Sequence, residues 1–209
     1  MSKSPYVIGI TGTIGSGKSA VGHVLERMGI PVIDSDAVVH ELFEDSVDLR
    51  SAIRNRFGDS VIVSHNGKEK VDRAALGQIV FKDADARRDL EAIVHPATIA
   101  ECRRRIAKAS ERSDVVAVLV PLLFEANLEE QYDEIWAIYA DAETLKKRIQ
   151  QRDQLSMQDV DRRIAAQLPQ EEKVSRADYS VDNSGTVEET AKQVEELITQ
   201  LRVRISSQA

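Results

Sequence analysis

Short apolar runs alternate along the chain with longer segments of helical period. The first run, YVIGIT at 6–11, leads into glycines, which predicts a buried strand. The next segment, 18–29, has apolar residues at i, i+3, i+4 and i+7, which predicts a helix. Gly29, followed by Pro31, predicts where that helix ends. PVIDSD at 31–36 returns to strand and finishes in carboxylates. This order predicts a right-handed crossover within a parallel sheet.

Three later segments repeat the strand pattern, at 114–121, 134–141 and 177–185, the last being more polar. With the two strands before them they predict an α/β fold: a three-layer, doubly wound, five-stranded parallel sheet. Ligands of such sheets bind at the carboxyl ends of the strands. The core is expected at about 4–35 and 112–209 of a single domain, and the Arg-, Lys- and Gln-rich helical stretch at about 144–176 is expected to be a lid.

Residues 36–111 are largely helical in pattern and are interpreted as an insertion beside the sheet. Periodic segments cover 37–57, 73–81 and 84–110, and an Asn66-Gly67 pair predicts a small hairpin. Pro96 lacks a backbone N–H and disfavours helix at His95, so the pair predicts a helix break.

Composition excludes several classes of function. The 209 residues carry a net charge of −7, so the overall field does not favour nucleic acid. The longest uncharged apolar stretch, at 115–124, is too short for a membrane span of ~20 residues, and the N-terminal apolar run is too short for a signal peptide. Cys102 is the single cysteine, which excludes an internal disulfide and fits a reducing compartment. We therefore expect a cytoplasmic protein that binds neither nucleic acid nor membranes.

The segment after the first strand carries the clearest chemical pattern. Gly12, four residues and then Gly17-Lys18-Ser19 satisfy GxxxxGK[ST], the P-loop pattern. Bare backbone lets several N–H groups grip a polyphosphate at once, and the following helix points its positive end at the same oxygens. Lys18 would reach the β- and γ-phosphates, and the Ser19 hydroxyl is a candidate Mg²⁺ ligand. The ATP-binding residues predicted here are Gly12, Thr13, Ile14, Gly15, Ser16, Gly17, Lys18, Ser19 and Ala20.

Other nucleotide-binding classes fit less well. The dinucleotide pattern GxGxxG fails because Ala20 stands at its third glycine position. A guanine-reading NKxD motif is missing from the sequence, and the apolar run at 115–120 ends in Pro121 rather than in the acidic residue usual for motor ATPases. The pattern therefore favours a small-molecule kinase, while a nucleotide-gated binding protein with slow hydrolysis stays open as an alternative.

A kinase also needs a carboxylate near the acceptor hydroxyl and a basic flap over the phosphates. Asp34 and Asp36 follow the second strand, and either could orient the hydroxyl or instead cap the next helix. Arg148 and Arg152 are four residues apart on a predicted helix, so they share a face and could bracket the transferred phosphoryl group.

Together these segments resemble the dephospho-coenzyme A kinase family over nearly the whole chain. The resemblance is carried by IGITGTIGSGKS, VIDSD (32–36), VHP (94–96), VPLLFE (120–125), KRIQQRD (147–153), RIAAQ (163–167) and ADYSVDNSG (177–185). The family transfers phosphate from ATP to the ribose 3′-hydroxyl of dephospho-coenzyme A, the last step of coenzyme A synthesis, on a P-loop kinase fold. A nucleoside or nucleotide kinase of similar architecture is the alternative.

The resemblance implies roles for individual residues. Asp36 takes the catalytic carboxylate position, Lys18, Arg148 and Arg152 serve catalysis, and the helical insertion cradles the acceptor. His95 and Pro96 are implied in acceptor binding, and Asn183 and Gly185 in contacting the adenine through their loop. Glu125, which ends VPLLFE, is a further candidate for acceptor binding or for ordering the metal shell, and a helix cap is the alternative. ATP and Mg²⁺ are the expected cofactors, and a monomer is expected.

Overall fold

The fold is a layered arrangement of helices and strands, given by a computed structural model that describes residues 4–65 and 67–207. Its strands are β1 (Tyr6–Thr11), β2 (Val32–Asp34), β3 (Ile62–His65), β4 (Lys68–Val71), β5 (Val115–Leu119), β6 (Glu134–Tyr139) and β7 (Tyr179–Asp182). Its α-helices are α1 (Lys18–Arg27), α2 (Ser35–Asp45), α3 (Val47–Phe57), α4 (Arg73–Lys82), α5 (Ala84–Ala109), α6 (Ala142–Asp153), α7 (Met157–Ala165), α8 (Gln170–Arg176) and α9 (Val187–Ser207).

The main sheet has five parallel strands in the order β2-β5-β1-β6-β7. β1 lies at its centre and pairs with β5, where Tyr6 faces Val115, and with β6, where Ile8 faces Glu134. The strand order reverses direction at β1, so the crevice at the carboxyl end of β1 is where this type of sheet binds ligands. The predicted doubly wound α/β fold is confirmed.

The chain divides into two compact units, Met1–Ile33 with Ala109–Ala209 and the contiguous Asp34–Lys108. The first unit contains strands β1, β5, β6 and β7 of the main sheet. Its core combines apolar residues of the central strands with those of α1 and α9: Ile8, Ile10, Val21, Leu25, Trp136, Ile138, Val194, Ile198 and Leu201. Each of these side chains is essentially excluded from solvent. The strand ends that carry the candidate site therefore stand on a rigid support.

The second unit packs helices around a two-stranded antiparallel sheet. β3 and β4 pair with Ile62 opposite Val71, which confirms the predicted hairpin; Asn66 of its predicted turn lies outside the described residues. The unit has its own core of Phe43, Leu49, Ile53, Val61, Val71, Leu76 and Val94. The segment predicted as one helix, 37–57, is two, because Ser46 is extended and its hydroxyl accepts the Leu49 N–H at 3.2 Å as the cap of α3.

The predicted helix break at Pro96 is wrong. α5 runs unbroken from Ala84 to Ala109 with Pro96 inside it. Proline in a helix interior costs about 3 kcal/mol through one lost hydrogen bond and a clash with the preceding turn. Val94 is buried in the core of this unit and Ile93 and Ala97 pack against that core, so tertiary packing on both sides of Pro96 offsets the local cost. Among the described residues, no helix combines the length and the apolar character needed to cross a membrane.

Candidate active site

The predicted P-loop connects β1 to α1, and no side chain caps the start of that helix. Gly17 is the residue before the first turn, in the left-handed conformation at φ 91°, and it makes no side-chain cap. No acidic residue occupies the first turn of α1. The first N–H groups of a helix have no intrahelical partner, and the helix dipole makes that end positive. The loop is thus built to receive an anion.

Two glycines of the loop are required by conformation and by space. Gly15 has φ 81°, and a Cβ there would lie 2.8 Å from Cγ1 of Ile149 on α6. A Cβ on Gly17 would overlap the side-chain amide of Asn183. Left-handed φ values suit glycine because it carries no Cβ. These glycines therefore let the loop pack against α6 and against the segment after β7, in addition to allowing ligand approach.

Lys18 folds back over the loop that precedes it. Its Nζ donates to the carbonyl oxygen of Gly12 at 2.8 Å and to that of Thr13 at 3.2 Å. The Thr13 carbonyl also accepts the Ser16 N–H at 3.1 Å. The ammonium group is consequently fixed at the loop by main-chain oxygens, with positive charge concentrated where phosphate is expected.

Buried polar atoms without partners cluster at this loop. Within the described part of the chain, Thr13 Oγ1, Ser16 Oγ and Arg148 Nη1 are buried and form no hydrogen bond. Arg148 Nη1 lies 3.6 Å from the position that a Cβ on Gly17 would take, so α6 brings this guanidinium to the P-loop. Buried polar atoms are nearly always paired, and a buried unpaired guanidinium N–H is costly. The arrangement is suited to an anionic ligand at the loop.

Arg152, the second predicted lid arginine, forms its hydrogen bonds within α6. Its Nε and Nη2 donate to the two carboxylate oxygens of Asp153 at 2.7 and 2.9 Å. Arg163 of α7 donates to the same carboxylate at 2.7 Å. The hydrogen bond from Arg152 is the main cause that holds the pKa of Asp153 below its ordinary value. The structure thus places Arg148 at the P-loop and ties Arg152 to Asp153, which links α6 to α7.

Asn183 supports the P-loop through its side chain. Its Nδ2 donates to the Ser16 carbonyl at 2.7 Å, its Oδ1 accepts from the Thr190 hydroxyl at 2.8 Å, and its backbone N–H donates to the Tyr139 carbonyl. The neighbouring Gly185 gives room to Glu189, which would overlap any Cβ there. A contact of this loop with adenine stays a prediction.

A cavity of about 970 Å³ extends from the P-loop toward the end of β7 and the residues that follow it. Thr13 lines it at one side and Asp182 and Ser184 at another, with Leu145 and Ile164 among its apolar walls. Ligand pockets of 300 to 1,000 Å³ with apolar walls and few polar groups are typical small-molecule sites. The cavity connects the predicted phosphate loop with the predicted base-contacting loop.

Glu125 forms a buried ion pair that the sequence did not indicate. Its carboxylate lies 2.7 Å from Nζ of Lys173, which also donates to the Pro121 carbonyl, and it accepts the Leu168 N–H at 3.0 Å. The Lys173 side chain is 1% exposed. Burial acts to raise the pKa of Glu125, and hydrogen bonds from Lys173 and the backbone outweigh it, so the pKa lies below its ordinary value. The pair fixes α8 to the segment after β5.

We expect Glu125→Gln to lower the free energy of unfolding by about 2 kcal/mol at neutral pH, because it leaves the buried Lys173 charge without its carboxylate. The folded pKa of Glu125 is below its ordinary 4.5, so its stabilisation is complete above that value and is lost as the pH falls through the folded pKa. The difference in the free energy of unfolding between wild type and Glu125→Gln should therefore become smaller as the pH falls. Urea unfolding from pH 7 down to pH 3 measures it. The exposed Glu130→Gln is the control, and equal stability of both variants at pH 7 would contradict the ion-pair role.

The remaining predicted site residues belong to the unit Asp34–Lys108. Asp34 caps α2, since its carboxylate accepts the N–H groups of Asp36 and Ala37 at 2.9 and 3.4 Å. Asp36 is exposed in the first turn of that helix, and His95 is exposed on α5. Of the two carboxylates that sequence reasoning left open, Asp34 thus has a capping role within its own unit.

Sequence reasoning missed Lys173 and Gln167 as parts of the site. Lys173 lies in QEEKVSR, a polar segment with no sign of burial. Gln167 ends RIAAQ, one of the segments that carry the family resemblance, and no role was predicted for it. Its Oε1 accepts the Ile14 N–H of the P-loop at 2.8 Å. The only available signal for Gln167 was its place in RIAAQ, which spans the end of α7 and the two residues after it.

Comparison with known proteins agrees with this geometry. A family model described as dephospho-CoA kinase matches residues 6–189. A dephospho-CoA kinase from Geobacter metallireducens is 44% identical over 190 residues, which is 90% of this chain and 92% of that protein. A solved structure from Thermus thermophilus matches with TM-score 0.81 at 33% identity, over 95% of this chain and 99% of that chain. Dephospho-CoA kinase from Campylobacter jejuni matches with TM-score 0.68 at 27% identity, over 93% and 96% of the two chains. The resemblance inferred from the sequence is confirmed, and the chain belongs to the dephospho-CoA kinase family.

Proposed function

We propose that this protein transfers the γ-phosphoryl group of ATP to the ribose 3′-hydroxyl of dephospho-coenzyme A, giving coenzyme A in the last step of its synthesis. The observation that carries the proposal is a P-loop whose helix start has no side-chain cap, with a buried, unpaired Arg148 N–H beside Gly17, in a chain of this family. Kinases of this type work by positioning and by stabilising charge, and both parts are supplied here.

ATP is held mainly by main chain in this proposal. N–H groups of the P-loop bind the phosphate oxygens, apart from those of Ile14 and Ser16, which are bonded to Gln167 and Thr13. Lys18 exchanges its contacts with the Gly12 and Thr13 carbonyls for the β- and γ-phosphates. Arg148 donates a hydrogen bond from Nη1 to the transferred phosphoryl group. Its positive charge neutralises the negative charge that develops during transfer. Arg152 contributes to the lid through Asp153, and it reaches the phosphates only if that pair opens.

The residues present fit a Mg²⁺ ion that arrives with the nucleotide. Mg²⁺ usually takes one or two protein ligands and completes its shell with phosphates and water. Ser19, exposed in the first turn of α1, offers one hydroxyl at the right place. Among the described residues, no cluster of acidic, His or Cys side chains forms a separate metal cage. When bound, the ion would supply charge neutralisation on the phosphate oxygens.

The acceptor side of the reaction is assigned to Asp36. Its carboxylate accepts the proton of the 3′-hydroxyl as that oxygen forms a bond to the γ-phosphorus, and the bond from this phosphorus to the β–γ bridging oxygen breaks to release ADP. Support comes from its position two residues after β2, at a carboxyl strand end, and from the VIDSD segment. The exposed His95 and Pro96 are proposed to contact the acceptor. Glu125 is proposed to act by anchoring α8, because it is already bonded to Lys173 and the Leu168 N–H.

One assay tests the proposed function against its alternatives. The protein is incubated with ATP and Mg²⁺ together with dephospho-coenzyme A, with a nucleoside or nucleotide, or with no acceptor, and ADP release is followed. We expect release that depends on dephospho-coenzyme A. Release that depends on a nucleoside or nucleotide would indicate a kinase of that class, and release indifferent to any acceptor would indicate a nucleotide-gated binding protein.

The proposal extends to a monomer acting in the cytoplasm. Cys102 is a free, buried thiol, and burial raises its pKa to about 11, so it is a poor nucleophile and suits a reducing compartment. Sedimentation of the purified protein with and without ATP measures the oligomeric state.

A further inference from the structure

The segment that follows α7 is bonded to the loops after three neighbouring strands. This segment, Gln167–Lys173, begins two residues after α7 ends. Gln167 meets the loop after β1, Gln170 makes two hydrogen bonds to the Ala140 backbone after β6, and Leu168 and Lys173 meet the residues after β5. Gln167 is the member that touches the P-loop itself.

The bond from Gln167 acts on one peptide group of the P-loop. Its Oε1 accepts the Ile14 N–H at 2.8 Å. Described peptide bonds are all trans, so the Thr13 carbonyl, which shares a plane with that N–H, points the opposite way. On that side it accepts from Lys18 Nζ and from the Ser16 N–H. Gln167 therefore fixes the plane whose other end holds the Lys18 ammonium.

We propose that Gln167 is a positioning residue for nucleotide binding, which sets the Thr13–Ile14 peptide plane and thereby the P-loop and Lys18 in the conformation that receives the phosphates. It acts through the Ile14 N–H and touches no reacting atom. The assignment deepens the proposed function and rests on the P-loop binding ATP. The role is distinct from that of Lys18, since Gln167 carries no charge and approaches from the lid side.

Gln167 also connects the P-loop to the helices of the proposed lid. α6 and α7 are joined by Lys146 to Asp161 at 2.8 Å and by the shared Asp153 carboxylate, and α7 leads directly into Gln167. A displacement of α7 would thus move the acceptor atom of the Ile14 bond. Gln167 therefore adds a hydrogen bond between the P-loop and the segment after α7 to the packing of Arg148 and Ile149 of α6 against that loop.

The test compares Gln167→Leu, which removes the acceptor at similar volume, with Gln167→Glu, which keeps an acceptor oxygen. Gln158→Leu, an exposed glutamine of α7, is the control. We expect Gln167→Leu to weaken ATP and ADP binding and to raise the KM for ATP by about tenfold, the factor for one buried N–H left unpaired. The KM for dephospho-coenzyme A should change little, and the control should match wild type. Gln167→Glu adds a negative charge beside the phosphate site, so it is compared by amide exchange and not by nucleotide affinity.

Hydrogen exchange of the Ile14 amide gives a second readout that needs no ligand. It should be slow in the wild type and in Gln167→Glu, and fast in Gln167→Leu. Wild-type affinity of Gln167→Leu for ADP, an Ile14 amide as slow in Gln167→Leu as in Gln167→Glu, or a fast Ile14 amide in the wild type would each overturn the assignment. If Gln167→Leu fails to fold, the Ile14 amides of the wild type and of Gln167→Glu still decide, because fast exchange in either would overturn it. ADP titration needs no acceptor, so a failure of the dephospho-coenzyme A assay is separable from a failure of this assignment.

Discussion

Replacing Lys18 by alanine should reduce the rate of phosphoryl transfer by at least about a hundredfold, the scale for losing one preorganised donor to transition-state charge. The ammonium is held at the loop by the Gly12 and Thr13 carbonyls, so its charge is in place before the reaction begins. Initial rates of ADP release with saturating dephospho-coenzyme A measure the loss. We expect the KM for ATP to rise as well, because the same charge also attracts the bound triphosphate.

The control for this change is Lys192→Ala, an exposed lysine of α9, which should keep the wild-type rate. Thermal unfolding of both variants shows whether the loop carbonyls released by Lys18→Ala disturb the fold. A folded Lys18→Ala variant with a rate within a few-fold of wild type would rule out the phosphate role.

Replacing Asp36 by asparagine should lower kcat by about 10² to 10⁴, the range for loss of a general base. Asparagine keeps the size and polarity of the side chain but cannot take the hydroxyl proton. ATP binding does not use this carboxylate in the proposed mechanism, so the affinity for ATP should be nearly unchanged. Single-turnover rates together with ATP titration separate the two effects.

Asp34→Asn is the matched control, because the same chemical change is made two residues earlier. Asp34 caps α2, and asparagine is an equally good capping residue, so both stability and turnover should stay near wild type. Equal loss of turnover in both variants, or full turnover in Asp36→Asn, would remove Asp36 from the mechanism.

The fold was predictable where local patterns decide it. Apolar runs of β-strand length predicted the five strands of the main sheet. The spacing of Gly12, Gly17 and Lys18 predicted the P-loop between β1 and α1. These features depend on residues close together in the chain. The same holds for the hairpin of β3 and β4.

Features that depend on distant residues were not predictable from local pattern. Pro96 reads as a helix break until the packing of Val94 on the core of its unit is known. Lys173 looks solvent-exposed because its partners, Pro121 and Glu125, lie about fifty residues away in the chain. The side-chain amide of Asn183 donates to the Ser16 carbonyl across an even longer separation in the chain. Local sequence pattern therefore did not predict this role of the side chain.

The central place of β1 in the sheet bears on how the chain is made. Its neighbours β5 and β6 both come from the second half of the chain, beginning at Val115 and Glu134. During synthesis the N-terminal strand therefore emerges long before it has anything to pair with. The contiguous unit Asp34–Lys108 faces no such delay. β1 is thus synthesised well before β5 and β6, and its hydrogen-bonded pairing with both strands is complete only after Tyr139 has been made.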